Sequence, residues 1–457
     1  MIMMVGVRQV RSWLLRGDRF PTCYPTSTRY NIRLALLCLI IIWSTLLSGL
    51  VLHSKLVINQ RGSSVESSSD QSILEQLTFK SNRTGTGQCV KSILLYGDLE
   101  GMRSWPELSK WVELMETSLR LEREVNLGCR TDNINCTIKL SLGTDLKRFR
   151  GKDAVIFGIL PRALRGQIET LKNLEPEQNQ TWFFYSTESP HRMTFWNQNL
   201  NITQLKYHKL ISYHWDSHVQ LSFGSYSYQP PANTSMSLPP QWSTKKHLIA
   251  WMNSNCNEVS WPRKPFLSRV RARLPVDEFG ACGTKQCEPR HSSKCSKLIQ
   301  SYKFLLILGN AECDGLIPAD FWSLALANDV VPVIYGVPKA DVAKVAPPSS
   351  FIHVSYFKTV KSLADYLLTI ADDEKEYNKF FAWKRRSEIK LMYPVAPKLV
   401  CRTIPHMFDG TPQYLTTVGE SSWFNGCRTR PNKNSLKPFS PDQQYKEYNH
   451  WTIWQSM

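Results

Sequence analysis

The sequence predicts an α/β protein of two domains facing a cleft, set behind an N-terminal membrane anchor and a stem. Three observations carry this. Short apolar runs bounded by Gly and Pro alternate with helically spaced segments between residues 92 and 386, as in strands that alternate with helices. A stretch at 225–246, with Pro230, Pro231, Pro239 and Pro240, separates those runs into two groups. A run of 19 uncharged residues, 34–52, precedes both groups.

At about 1.5 Å per helical residue, that run is long enough to cross a hydrocarbon core of about 30 Å. Arg8, Arg11, Arg16, Arg19, Arg29 and Arg33 precede it against Asp18 alone, so residues 1–33 stay cytosolic and the C-terminal bulk crosses the membrane. The run starts late and is long for the apolar part of a cleaved signal peptide, which favours a signal anchor. Residues 53–90, including RGSSVESSSDQS, lack apolar periodicity and read as a stem. Five Asn-x-Ser/Thr sequons (Asn82, Asn135, Asn179, Asn201, Asn233) and ten of the twelve cysteines lie downstream of the span. Both agree with an oxidising lumen, where Cys282, Cys287 and Cys295 are expected in disulfides rather than on a metal.

The first domain is placed at 91–235. SILLYGD from Ser92 reads as a buried strand, Trp105–Arg123 as a helix, Asp153–Leu160 as a second strand and Thr181–Ser186 as a third. The third runs into Thr187-Glu188-Ser189-Pro190. Pro190 restricts Ser189 to extended or turn geometry, so Glu188 is expected where a strand leaves the sheet, the end at which α/β sheets collect ligands.

The second domain is placed at 245–395. It opens with the strand His247–Met252, followed by a helix over Phe266–Leu274 and a strand near Val276–Gly280. Phe304–Leu308, Val330–Tyr335 and Phe351–Val354 read as further strands, Ala319–Ala327 as a helix, and Ser362–Arg386 as a closing helix. Residues 396–457 show little periodicity and read as a tail.

The net charge is +18, yet no run of five Lys/Arg occurs and no finger, homeodomain or RNA-recognition signature is present. No nucleic-acid partner is expected; the charge suits a small anionic ligand or an acidic glycan surface. No Asp-x-Asp pair stands at a strand end, so no metal is expected, nor any cofactor beyond the substrates.

The runs TWFFYSTESP, SYHWDSHVQLSFGSY and LIAWMNSNCNEVSWPRKPFLSRVRARLPVDEFGACG, followed by VVPVIYG, APPSSFIHV, SLADYLL and YNKFFAWKRR, resemble the α1,3-fucosyltransferase family in order and spacing over roughly residues 90–400. The resemblance implies a single-pass Golgi protein with its catalytic part in the lumen and a GT-B fold. It implies transfer of fucose from GDP-fucose, with inversion, to an N-acetylglucosamine or related hydroxyl of a glycan. By the same resemblance Glu188 is the candidate base, and Arg263, Asn310 and Ser217 are candidates for donor binding. Such chemistry needs a carboxylate to take the acceptor proton and positive charge to receive the diphosphate. An Arg fork suits phosphate oxygens.

Several positions depart from the family pattern. Gly309 and Ala319 stand where the family has glutamates, Asp320 where it has a lysine, and His214 and His218 where it has an arginine and an aspartate. Exchanging Lys for Asp beside a phosphate costs several kcal/mol, since two charges at about 4 Å interact by about 4 kcal/mol at an effective dielectric of about 20. Solvent screening, an Asp320 turned outward, or a nearby Lys339 or Lys344 would reduce that cost. Three readings follow: an active fucosyltransferase with a rewired donor site, a catalytically impaired relative that binds a glycan or a partner enzyme, and an enzyme with a changed donor.

Overall fold

A computed structural model describes residues 89–428, apart from 120–123, 132–133, 165, 198–201, 229–241, 288, 291 and 408–413. The expected cytosolic segment 1–33, the span, the stem up to residue 88, residues 429–457, most of the proline-rich stretch, and the sequons Asn82, Asn201 and Asn233 lie outside the described residues. All described residues belong to one compact unit. No helix among them is long and apolar enough to cross a membrane.

Two sheets organise the unit. The first is built from β1 (Cys89–Tyr96), β2 (Val125–Thr131), β3 (Ile134–Gly143), β4 (Ala154–Phe157), β5 (Thr181–Ser186), β7 (Lys209–Ser212) and β8 (Val219–Gln220), in the order β2-β3-β1-β4-β5-β7-β8. Only β2 runs antiparallel to its neighbour. The short β6 (Lys206–Tyr207) pairs with β16 (Thr416–Thr417), and β9 (Gly224–Tyr228) pairs with β15 (Ser387–Leu391). The second sheet holds β10 (His247–Met252), β11 (Val276–Phe279), β12 (Tyr302–Leu308), β13 (Val331–Tyr335) and β14 (Ile352–His353), all parallel, in the order β11-β10-β12-β13-β14. From β10 the chain moves to one side for β11 and returns to the other for β12. The β10/β12 seam is therefore the switch point of this sheet.

The apolar runs are continuous because both faces are covered. On β12, Phe304, Leu306 and Leu308 face the helices α3 (Arg263–Arg271) and α5 (Val360–Asp372), while Leu305 and Ile307 face α4 (Ser293–Gln300) and the turn carrying Phe321 and Trp322. Each fully buried large apolar side chain of this kind contributes about 1.5–3 kcal/mol.

Strands β5 and β10 occupy the residues expected of them. The closing helix instead breaks at Asp373, whose extended backbone and side-chain bond to the Glu376 amide (3.0 Å) cap a separate helix, Glu374–Lys379. Two successive Asp at a helix C-terminus oppose its dipole, and Asp is a strong N-cap. The expected helix Ala319–Ala327 is a π-type turn (Phe321–Ala325) followed by a 3-10 turn (Leu326–Asn328). Ser323 returns its hydroxyl to the Ala319 carbonyl (2.9 Å), which competes with the helical ladder.

The ten cysteines from Cys89 onward form five disulfides: 89–136, 129–401, 256–282, 287–295 and 313–427. Two of them tie residues after 396 back to the body, and Trp423 is fully buried against Phe184 of β5. Asn135 and Asn179, the described sequon residues, are exposed.

Candidate active site

The first half of the site grows from the end of β5. All six β5 residues are buried, and the chain turns at once. Ser186 Oγ donates to the Glu188 carbonyl (2.9 Å) and the Glu188 amide donates to Ser186 Oγ (3.2 Å). Ser189 then caps α2 (Pro190–Trp196), its hydroxyl accepting from the Arg192 amide, with Pro190 at the first helical position. Trp423 Nε1 also donates to the Glu188 carbonyl (3.0 Å), so the backbone is held from both sides.

The Glu188 carboxylate lies 2.5 Å from Arg192 Nη1, and Arg192 Nε donates to Glu258 Oε2 (3.1 Å). Trp196 donates to the other Glu258 oxygen (3.3 Å) and lies under the guanidinium at 4.2 Å. Glu107 accepts from the Thr187 hydroxyl (2.6 Å). Two carboxylates thus bind one arginine, and a third, Glu107, lies within its electrostatic reach. Burial pushes the Glu188 pKa up to about 7; Arg192 opposes this, while Glu107 and Glu258 reinforce it. The side chain keeps 16% of its surface open, so a substrate can reach it. Glu107 is likewise raised by burial, against its bond to Thr187.

The second half sits on the C-terminal edge of the second sheet. Asn253, Asn255 and Glu258 form a turn after β10: Asn255 Nδ2 donates to the Glu258 carbonyl (2.9 Å), and the Glu258 amide to Asn255 Oδ1 (3.0 Å). This turn delivers Glu258 to Arg192. Arg263, first residue of α3, is not the solvated charge that its neighbour Lys264 suggests. It is 1% exposed and donates to the carbonyl of Leu308, last residue of β12 (3.2 Å), to Asn310 Oδ1 (2.9 Å) and to the Asn255 carbonyl. Burial lowers its pKa to about 9, with Arg192 adding to the effect. It remains a cation in the neutral range, paired only with neutral acceptors among these contacts.

Glu188 is therefore connected to Arg263 and Asn310 by a chain of contacts through Arg192, Glu258 and Asn255. Ser217 is not part of this cluster: its hydroxyl meets that of Ser212 (2.6 Å) at the end of β7. His214 is buried and accepts from the Asp216 amide (3.2 Å), whereas His218 is exposed, accepts from the Leu210 amide (3.1 Å) and stacks edge-on against His406. A Cβ at Gly309 would come within 3.3 Å of the Ala311 carbonyl, a tight fit for any larger residue. Ala319 and Asp320 precede the π-type turn, and Asp320 is ion-paired with Arg290. Lys339 and Lys344, one of the ways in which Asp320 could be offset, lie over the rings of Tyr356 and Trp215. Among the described residues, no group of three His, Cys, Asp or Glu is arranged to hold a metal ion.

Sequence reasoning missed Glu107, Arg192, Glu258 and Arg290. Arg192 carried a signal, four residues beyond Glu188 at a helix start. Glu258 follows a strand end, as Glu188 does. Glu107 and Arg290 carried none, because their partners are distant in the chain.

A carboxylate with a raised pKa at one sheet edge and a buried arginine at the switch point of another can take a proton from a nucleophile and receive an anionic leaving group. Comparison with known proteins names the class. The family model for glycosyltransferase family 10 (fucosyltransferase), C-terminal region, matches residues 242–417. Bovine (Bos taurus) alpha-(1,3)-fucosyltransferase 7 is 31% identical over 263 residues, 57% of this chain and 71% of the relative. Drosophila melanogaster glycoprotein 3-alpha-L-fucosyltransferase A is 32% identical over 196 residues, 42% of this chain and 38% of that relative. A crystal structure of an alpha1,3-fucosyltransferase with GDP-fucose aligns over 73% of this chain and 95% of its own, with 13% identity and a TM-score of 0.40. This chain belongs to the glycosyltransferase family 10 fucosyltransferases.

Proposed function

We propose that this protein transfers fucose from GDP-fucose to a glycan hydroxyl, with α1,3 linkage to N-acetylglucosamine, by a single inverting displacement. The observation that carries the reading is the chain of contacts from Glu188 through Arg192, Glu258 and Asn255 to Arg263 at the edge of the second sheet. The Glu188 carboxylate accepts the acceptor O–H proton as that oxygen bonds to C1 of fucose. The C1–O bond to the diphosphate breaks, and its electron pair leaves on the β-phosphate oxygen of GDP. Arg263 and Arg192 supply positive charge to the departing diphosphate. A base with a pKa of about 7 is matched to work at neutral pH.

We also propose a type II Golgi protein with GT-B architecture, anchored by residues 34–52 with the two sheets in the lumen. Five disulfides and two exposed sequon residues favour that compartment. Protease protection of the C-terminal bulk in sealed microsomes is expected; cleavage there without detergent contradicts the orientation.

The activity test is transfer of labelled fucose from GDP-fucose to N-acetyllactosamine by the protein made in a secretory host. Fucosylated product with stoichiometric GDP is expected. No product across an acceptor panel, with GDP still bound, would leave the reading of a noncatalytic relative.

A further inference from the structure

We propose that Arg290 is a second diphosphate-binding arginine of the donor site and that Asp320 is its positioning residue. The proposal rests on the nucleotide-sugar reading above. Arg290 lies in the connection from β11 to β12, on a loop closed by the Cys287–Cys295 disulfide just before α4. Its Nη2 is ion-paired with Asp320 and donates to the carbonyl of Met252 (3.4 Å), the last residue of β10.

Two guanidinium groups therefore stand on the ends of the two strands that flank the switch point. Arg263 donates to the last carbonyl of β12 and Arg290 to that of β10, and β10 and β12 are hydrogen-bonded neighbours. That edge is where an open parallel sheet receives a phosphate-bearing ligand.

Arg290 is also left incomplete on one side. Asp320 and Met252 engage Nη2, while the Nε–H is buried with no hydrogen-bond partner among the described residues. A buried donor without an acceptor is destabilising, and a phosphate oxygen supplies a charged acceptor. Arg290 also stands near the first half of the site: Tyr393 lies within electrostatic reach of Arg290, Asp320 and Glu107 together, and Glu107 accepts from Thr187 next to Glu188.

Asp320 thus acquires a role opposite to the one its charge suggests. Its carboxylate holds the Nη2 end of the fork, orienting the remaining donors. A lysine at 320 would add a cation to the site yet repel Arg290 from its seat.

Calorimetric titration of GDP, and of guanosine as a phosphate-free control, into the full chain and its R290A, R290K, D320N and D320K variants tests this. R290A is expected to weaken GDP binding at least about tenfold, R290K to recover part of the loss, and D320N and D320K to weaken it several-fold, with guanosine affinity unchanged throughout. If the wild type binds no GDP, the nucleotide-sugar reading falls and this inference with it. If the wild type binds GDP but R290A and R290K bind it equally well, or D320K binds it more tightly, the inference alone is overturned. Should R290A fail to fold, R290K and D320N still decide between these outcomes.

Discussion

The two halves of the site respond to the same burial in opposite ways. Around the end of β5, removal from water raises a carboxylate, Glu188, to about 7. At the β10/β12 seam it lowers a guanidinium, Arg263, to about 9. Desolvation disfavours whichever form is charged. One half therefore gains affinity for a proton and the other gains affinity for an anion, which is the division of labour a glycosyl transfer requires. Arg192 stands between them, touching Glu188 and Glu258 and lowering the Arg263 pKa from nearby.

The largest expected effect comes from removing the support of the acidic half. Trp423→Ala deletes a fully buried indole and its bond to the Glu188 carbonyl, and should cost about 3–5 kcal/mol in chemical denaturation. An unchanged denaturation midpoint would detach residues 396–428 from the support of Glu188. Next comes Arg263→Ala, expected to weaken GDP binding about a hundredfold, the equivalent of about 2.8 kcal/mol, while the variant's pH–rate profile keeps its acid limb. A shifted limb with unchanged GDP affinity would reverse the roles assigned to the two halves.

Smaller and more diagnostic are two changes that move the same pKa in opposite directions. Activity requires ionised Glu188, so kcat/KM rises with pH through about 7. Arg192 lowers this pKa, and Arg192→Ala should move the limb to higher pH, with activity at pH 6.5 falling more than at pH 8. Glu107 raises it, and Glu107→Gln should move the limb to lower pH. Limbs that shift together, or not at all, would separate the pH dependence from this carboxylate cluster.

Much of the framework was legible in the chain. β5 and β10 could be read residue for residue because strands buried on both faces are unbroken apolar runs. β2 and β3 leave a weaker mark although Cys136, Ile138 and Leu140 alternate inward, because their more exposed neighbours dilute the apolar signal. β9 and β15 pair residues about 160 apart, which local pattern does not report. The same limit governs the site. Glu188 was visible as a strand-end carboxylate before a proline. Asp320, taken alone, read as a repulsive charge; only the fold brings it to Arg290 from 30 residues away.

The most direct test of the central claim pairs donor binding with turnover in Glu188→Gln. The amide keeps the size of the side chain but cannot take the acceptor proton. GDP-fucose binding by calorimetry should stay within a few-fold of wild type, while transfer of labelled fucose falls by about 10²–10⁴. Transfer by Glu188→Gln at close to the wild-type rate would contradict the assignment of Glu188 as the base.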